Sequence, residues 1–125
     1  MKTTTVAVAL ALITTGATAH ELTPTYPNLR QSYVDNVLTT RMRLFNRRSD
    51  VTYYTIGVFD DEWGPIPFAT TEATINVPYL GHRSIDIYIR EVDASRVEYI
   101  CTTSRVKSDD VQSSGIRSKI CSRVK

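Results

Sequence analysis

Few side chains in this 125-residue sequence have types and spacings suited to chemistry. They are two histidines (His20, His82), two cysteines (Cys101, Cys121), the carboxylate run Asp60-Asp61-Glu62 and a basic C-terminal stretch. His20 directly follows Ala17-Thr18-Ala19, a small-x-small pattern of the kind a signal peptidase cuts. A cut there would put a free amine and an imidazole on one residue. Those nitrogens suit Cu(II), with His82 as the only second histidine. His82 lies in "YLGHRS", a turn sequence where an exposed histidine is ordinary, and no other ligand motif accompanies it. The metal reading (His20, His82) therefore ranks below the others, and no cofactor is expected. "FDDE" lacks the spaced ligands of a calcium loop and reads as a solvated turn. The sequence has no G-x-S-x-G, H-E-x-x-H or glycine-rich phosphate loop, so an enzyme is not expected.

The first nineteen residues read as a signal peptide: Lys2 is the basic start, Val6 to Ile13 the apolar stretch, and Ala17 and Ala19 flank the cut. Eight apolar residues are too few to span a bilayer, so no membrane span is expected. The expected organisation is a signal peptide at 1–19 and one domain at 20–125, periplasmic or extracellular. In an oxidising compartment Cys101 and Cys121 should pair, which also removes a thiol nucleophile. Closing a loop of about 20 residues would contribute roughly 3 kcal/mol.

Hydrophobic content of 42% and charged content of 22% are those of an ordinary globular chain. The net charge is +2, falling to +1 if Lys2 is removed. Six basic against two acidic residues from Arg105 to Lys125 give the last fifth a local +4. No aromatic residues interleave with them as a stacking platform, so nucleic acid is not the expected partner. Trp63, beside Gly64-Pro65, reads as a cover for one end of the domain or an anchor for a partner.

These groups must be positioned by strands. "VLTTRMRLFN" (37–46) puts Leu38, Thr40, Met42 and Leu44 on one face. "VTYYTIGVFD" (51–60) alternates Tyr54, Ile56 and Val58, and "SIDIYIR" (84–90) alternates Ile85, Ile87 and Ile89. "ATINVPYL", "VEYICTTSRV" and "IRSKICSRVK" are further strands, "EVDASR" is a corner and "KSDDVQSSG" a polar loop. With a first strand before Asn36 the count is seven, which predicts an all-β, immunoglobulin-like antiparallel sandwich. Tyr99, two residues before Cys101, has the spacing of a tyrosine corner. The faces of the last two strands conflict. Val97, Tyr99 and Cys101 share one parity, whereas Cys121 shares a face with Arg117, Lys119 and Arg123, so Cys101 lies beyond the core or a bulge shifts the register.

The order of "LRQSYVDN", "MRLFNRRSD", "TYYTIGVFDDEWGPIP" and "DIYIREVDASRVEYI" resembles the N-terminal immunoglobulin-like domain of periplasmic pilus-assembly chaperones, over about residues 22 to 125. The resemblance implies a protein partner held at edge strands. It also implies a basic first-strand anchor for a client carboxylate sixteen residues before the asparagine, where Arg30 stands before Asn46. A second anchor on the last strand falls to Lys119 or Arg117. Guanidinium and ammonium groups suit a carboxylate. Two departures weigh against a full chaperone: the family's second domain is missing, and Ser118 and Ser122 interrupt the apolar row of the last strand. The expected role is a small exported interaction module, chaperone-like or accessory in assembling a surface or particle structure, with oligomers possible. A structural component of a pilus or virion is the alternative, and a copper-binding periplasmic protein the second.

Overall fold

The computed structural model describes residues 19–105 and 117–125. The signal-like segment up to residue 18, the loop at 106–115 and Ile116 lie outside that range. The described residues form eight strands in two antiparallel sheets and one helical turn. The strands are β1 (Glu21–Thr23), β2 (Arg30–Gln31), β3 (Val37–Phe45), β4 (Tyr53–Phe59), β5 (Thr74–Asn76), β6 (His82–Arg90), β7 (Tyr99–Arg105) and β8 (Lys119–Arg123), with α1 (Glu91–Ala94) between β6 and β7. In the first sheet β3 pairs with β6 on one side and with β1 and β2 on the other; the second has the order β5-β4-β7-β8. The expected seven strands become eight because the first is split. Pro24 and Pro27, which cannot donate to a ladder, lie between its halves.

Strand faces follow the period-two pattern. Met42, Leu44, Tyr54, Ile56, Val58, Ile85, Ile87, Ile89 and Ile100 form the buried core between the sheets. Ile120 of β8 and Val124 just beyond it are partly buried and pack against this core.

The register of the last hairpin resolves the conflict of faces without a bulge. Ile100, Thr102 and Ser104 are buried on the inner face, whereas Cys101 pairs directly with Cys121 and Thr103 with Lys119 on the outer face. The disulfide staples the hairpin from outside the sandwich. Tyr99 shares that outer face, with its ring stacked on Trp63 at 4.2 Å and 5°. It therefore does not form the tyrosine corner that its spacing predicts. Asp93 ties down the corner instead, bound to Arg90 at 2.8 Å and Arg96 at 2.5 Å. Its carboxyl is held below the usual range, first by the Arg90 hydrogen bond and then by that of Arg96.

Asn46, fully buried at the end of β3, joins several segments. Its amide donates to the carbonyls of Val51 and Val77 at 2.7 and 2.9 Å, and its Oδ1 accepts from the Arg48 backbone and the Tyr54 hydroxyl. Among the described residues no buried side-chain nitrogen or oxygen lacks a partner. No described helix is long and apolar enough to cross a membrane.

Candidate partner-binding edge

Among the described residues β8 ends the second sheet and is laddered to β7 alone. Cys101 and Cys121 face each other with Cα atoms 4.1 Å apart, the close spacing of a non-hydrogen-bonded antiparallel pair. The neighbouring residues Ile120 and Ser122 must then bond to β7. The backbone groups of Lys119, Cys121, Arg123 and Lys125 therefore point away from the sheet. The lower half of that edge is occupied: the Arg123 and Lys125 amides donate to the Thr25 and Pro27 carbonyls, each at 3.0 Å. The first strand, after pairing with β3 through β1, has crossed over to run parallel with β8. At the upper half, Lys119 and Cys121 have no backbone partner on that side among the described residues. Unpaired strand edges in general can accept a further strand.

Side chains around it are firmly placed. Phe59 of β4 folds back over Gly57; a Cβ on Gly57 would meet the phenyl Cε2 at 2.7 Å, so a larger residue would push the ring aside. Trp63 packs beside Phe59, with centroids 6.1 Å apart, and on Tyr99. The Lys119 ammonium lies over both the Phe59 and Trp63 rings, at 4.6 and 4.9 Å. Each such contact contributes about 0.5–1 kcal/mol at an exposed site. Trp63 is half exposed, and its φ of 64° is a left-handed conformation that costs a bulky side chain energy. Asp60 imposes it: its carboxylate accepts from the Glu62 and Gly64 amides at 3.0 and 2.7 Å, and its carbonyl accepts from the Trp63 amide at 3.1 Å. The "FDDE" run thus serves as a turn former.

The predicted anchors separate. Lys119 and Arg117 stand together at the upper end of the β8 edge, both exposed. Arg30, on β2, pairs with Thr39 of β3, three residues beyond Pro27 and hence past the lower end of β8. It lines an open groove of about 540 Å³ with Tyr33, Arg41, Asp86 and Tyr88 on the outer face of the first sheet. Arg30 and Lys119 therefore do not converge on one carboxylate.

The two histidines are not brought together either. His82 is exposed on β6 opposite Phe45. His20 is 3% exposed; Nε2 lies 2.7 Å from the Thr102 hydroxyl and 3.2 Å from its carbonyl, and Nδ1 lies 3.1 Å from the Ser118 hydroxyl. Burial pushes its pKa down to about 4, opposed by the Thr102 hydrogen bond and aided by Arg48. Among the described residues no cluster of three metal-ligating side chains occurs. The aromatic cluster is the part of this edge that sequence reasoning missed. The signal was present in Phe59, Trp63 and Tyr99, but their convergence depends on the pairing of β4, β7 and β8.

No family model matches the chain, and no curated protein matches it in sequence. Solved structures do. The E. coli chaperone DraB superposes with a TM-score of 0.62 at 16% identity, over 85% of this chain and 53% of the chaperone. This chain thus spans about half the length of that protein. A PapD-like domain of human CEP192 superposes with a TM-score of 0.55 at 8% identity, over 98% of this chain and 94% of that one. Both superpose on this chain at low identity, and what they have in common with it is the fold, an immunoglobulin-like antiparallel sandwich.

Proposed function

We propose that this protein is an exported, non-enzymatic interaction module that captures an extended segment of a partner protein by strand addition along the upper half of β8, a chaperone-like role. The observation that carries the reading is the half-occupied edge: Thr25 and Pro27 cap the amides of Arg123 and Lys125, while those of Lys119 and Cys121 face outward without a described partner. Main-chain hydrogen bonds supply affinity in this mode, and alternate side chains supply specificity. Likeness in fold to a chaperone supports it. A signal-like segment at 1–19 and a disulfide that an oxidising compartment would preserve support export to the periplasm or beyond. Arg30, remote from this edge, is assigned to the separate groove on the first sheet.

Amide exchange tests the reading. Short peptides selected from a random phage-displayed library against the folded protein serve as probes. Strand addition slows exchange of the Lys119 and Cys121 amides on peptide binding and leaves Ile120 and Ser122, already bonded to β7, nearly unchanged. Peptides that bind without protecting Lys119 and Cys121 would rule strand addition out.

A further inference from the structure

The first strand leaves a gap in the first sheet where it departs for the second. β1 pairs with Arg43 to Phe45 of β3 and β2 with Leu38 and Thr39, so Arg41 lies between them with neither strand beside it. The Val37 carbonyl accepts from the Ser32 amide at 3.0 Å, and alternate residues of a strand direct their backbone groups the same way. The Arg41 amide and carbonyl therefore face the gap, with no backbone partner there among the described residues. Arg41 lines the open groove of about 540 Å³ on the outer face of this sheet, a size within the roughly 300–1,000 Å³ of small-ligand sites. The register sets Arg30, Thr39 and Tyr88 in one row across the sheet and Arg41 opposite Asp86 in the next. Arg41 donates to both Asp86 oxygens, from Nε at 2.8 Å and Nη2 at 3.3 Å. The side chains of Gln31 and Ser32 donate to the Val34 carbonyl at 3.2 and 3.0 Å, which holds the turn that presents Tyr33. Tyr33 and Tyr88 are both exposed, and among the described residues neither ring packs on another aromatic side chain.

This lining rejects most ligand classes. An apolar molecule would take water from Arg30, Arg41 and Asp86 and return no hydrogen bonds. A polyanion would meet the Asp86 carboxylate, which only accepts. A peptide strand would find one free backbone position, flanked on both sides by β1 and β2, and could not form a ladder. What fits is a molecule with apolar faces and a rim of groups that both donate and accept. A pyranose ring has that make-up, since its C–H faces are apolar and each hydroxyl is donor and acceptor at once. We infer that the groove is a carbohydrate-binding site for a neutral oligosaccharide. Sugar C–H faces pack on the rings of Tyr88 and Tyr33. Asp86 accepts from hydroxyls, Arg30 donates to them, and the Arg41 backbone supplies one further donor and one acceptor. The site is separate from the β8 edge and does not depend on strand addition there.

The test titrates the folded, isotope-labelled protein with cellotriose, maltotriose and the trimer of N-acetylglucosamine, following amide resonances. Trigalacturonate and oligothymidylate are the anionic controls. At least one neutral trisaccharide should shift the Thr39, Arg41 and Tyr88 amides and bind more tightly than either control. Tyr88→Ala should weaken that binding about tenfold, whereas Tyr88→Phe, which keeps the ring, should stay within about twofold. Asp86→Asn removes the carboxylate and leaves Arg41 uncompensated, so the ratio of neutral to galacturonate affinity should fall about tenfold. A variant that merely misfolds would lose both ligands together and would not move that ratio. No shift with any neutral trisaccharide overturns the inference. Binding of the anionic controls alone, abolished by Arg30→Gln and indifferent to Tyr88→Ala, overturns it in favour of an anion site. Shifts confined to Lys119 and Cys121 overturn its placement on the first sheet.

Discussion

At the scale of single residues, the polar groups inside the sandwich are its most sensitive points. His20 is buried among Tyr54, Thr102 and Ser118, with Arg48 close enough to oppose a second positive charge. Its folded pKa of about 4 lies below the ordinary 6.5, so the folded state prefers the neutral ring and the unfolded state takes up the proton first. Stability from this group is complete above pH 6.5 and is lost as pH falls toward 4, by up to about 3 kcal/mol. Urea melts of the wild type at pH 7 and 4.5 should differ by about that amount, and the difference should shrink markedly in His20→Gln. An unchanged pH response in the variant would mean that other groups carry it. Asn46 is a second such point. Asn46→Leu would strip partners from the Val51 and Val77 carbonyls, the Arg48 amide and the Tyr54 hydroxyl, whose pKa burial pushes up to about 12. A loss of at least about 3 kcal/mol is expected in the same urea assay, since each orphaned buried group costs roughly 1–3 kcal/mol. Neither role was legible in sequence. The partners of His20 lie 82 and 98 residues away, and a turn asparagine looks alike whether it is buried or exposed.

At the scale of elements, the alternation of apolar residues identified the faces of β3, β4 and β6, because one side of each strand meets only the core. β7 was harder to read. Tyr99 and Cys101 are apolar in character yet face outward, and the inner face carries Thr102 and Ser104, which serve His20 and Arg48. Period-two reasoning assumes apolar in and polar out, and β7 reverses it because a second small apolar cluster lies outside the sheet. That cluster and the disulfide together hold β8. Cys101→Ser/Cys121→Ser should lower stability by about 3 kcal/mol for a loop of this length. It should also accelerate exchange of the Ile120 and Ser122 amides more than those of β3. Gly57→Val should displace Phe59, loosen the contact with Lys119 and blue-shift nothing in the core; near-ultraviolet circular dichroism of Trp63 and Tyr99 would weaken while the far-ultraviolet β signal persists. An unaltered near-ultraviolet spectrum would show that the aromatic stack does not depend on the close fit of Phe59 over Gly57.

At the scale of the whole molecule, the crossing first strand decides how much of the edge is available. Running from β3 to β8 across its two prolines, it caps the lower half of the β8 edge, and among the described residues no backbone group pairs with the Lys119 and Cys121 amides at the upper half. An open edge is a hazard as well as an asset, because identical edges can pair with each other. Two copies meeting there would bring their Arg117 and Lys119 side chains together, and like charges directly opposed destabilise such a pairing. Those two exposed cations thus oppose self-association at this edge. Arg117→Val/Lys119→Val should therefore remove the barrier and present β-branched residues well suited to strand pairing. Sedimentation velocity should show concentration-dependent dimers or larger species in the variant at a concentration where the wild type shows less association. High salt should move the wild type in the same direction by screening the repulsion, while changing the variant little. A variant that associates no more than the wild type would mean that the edge is protected by shape, with the first strand crossing close enough to exclude a second copy.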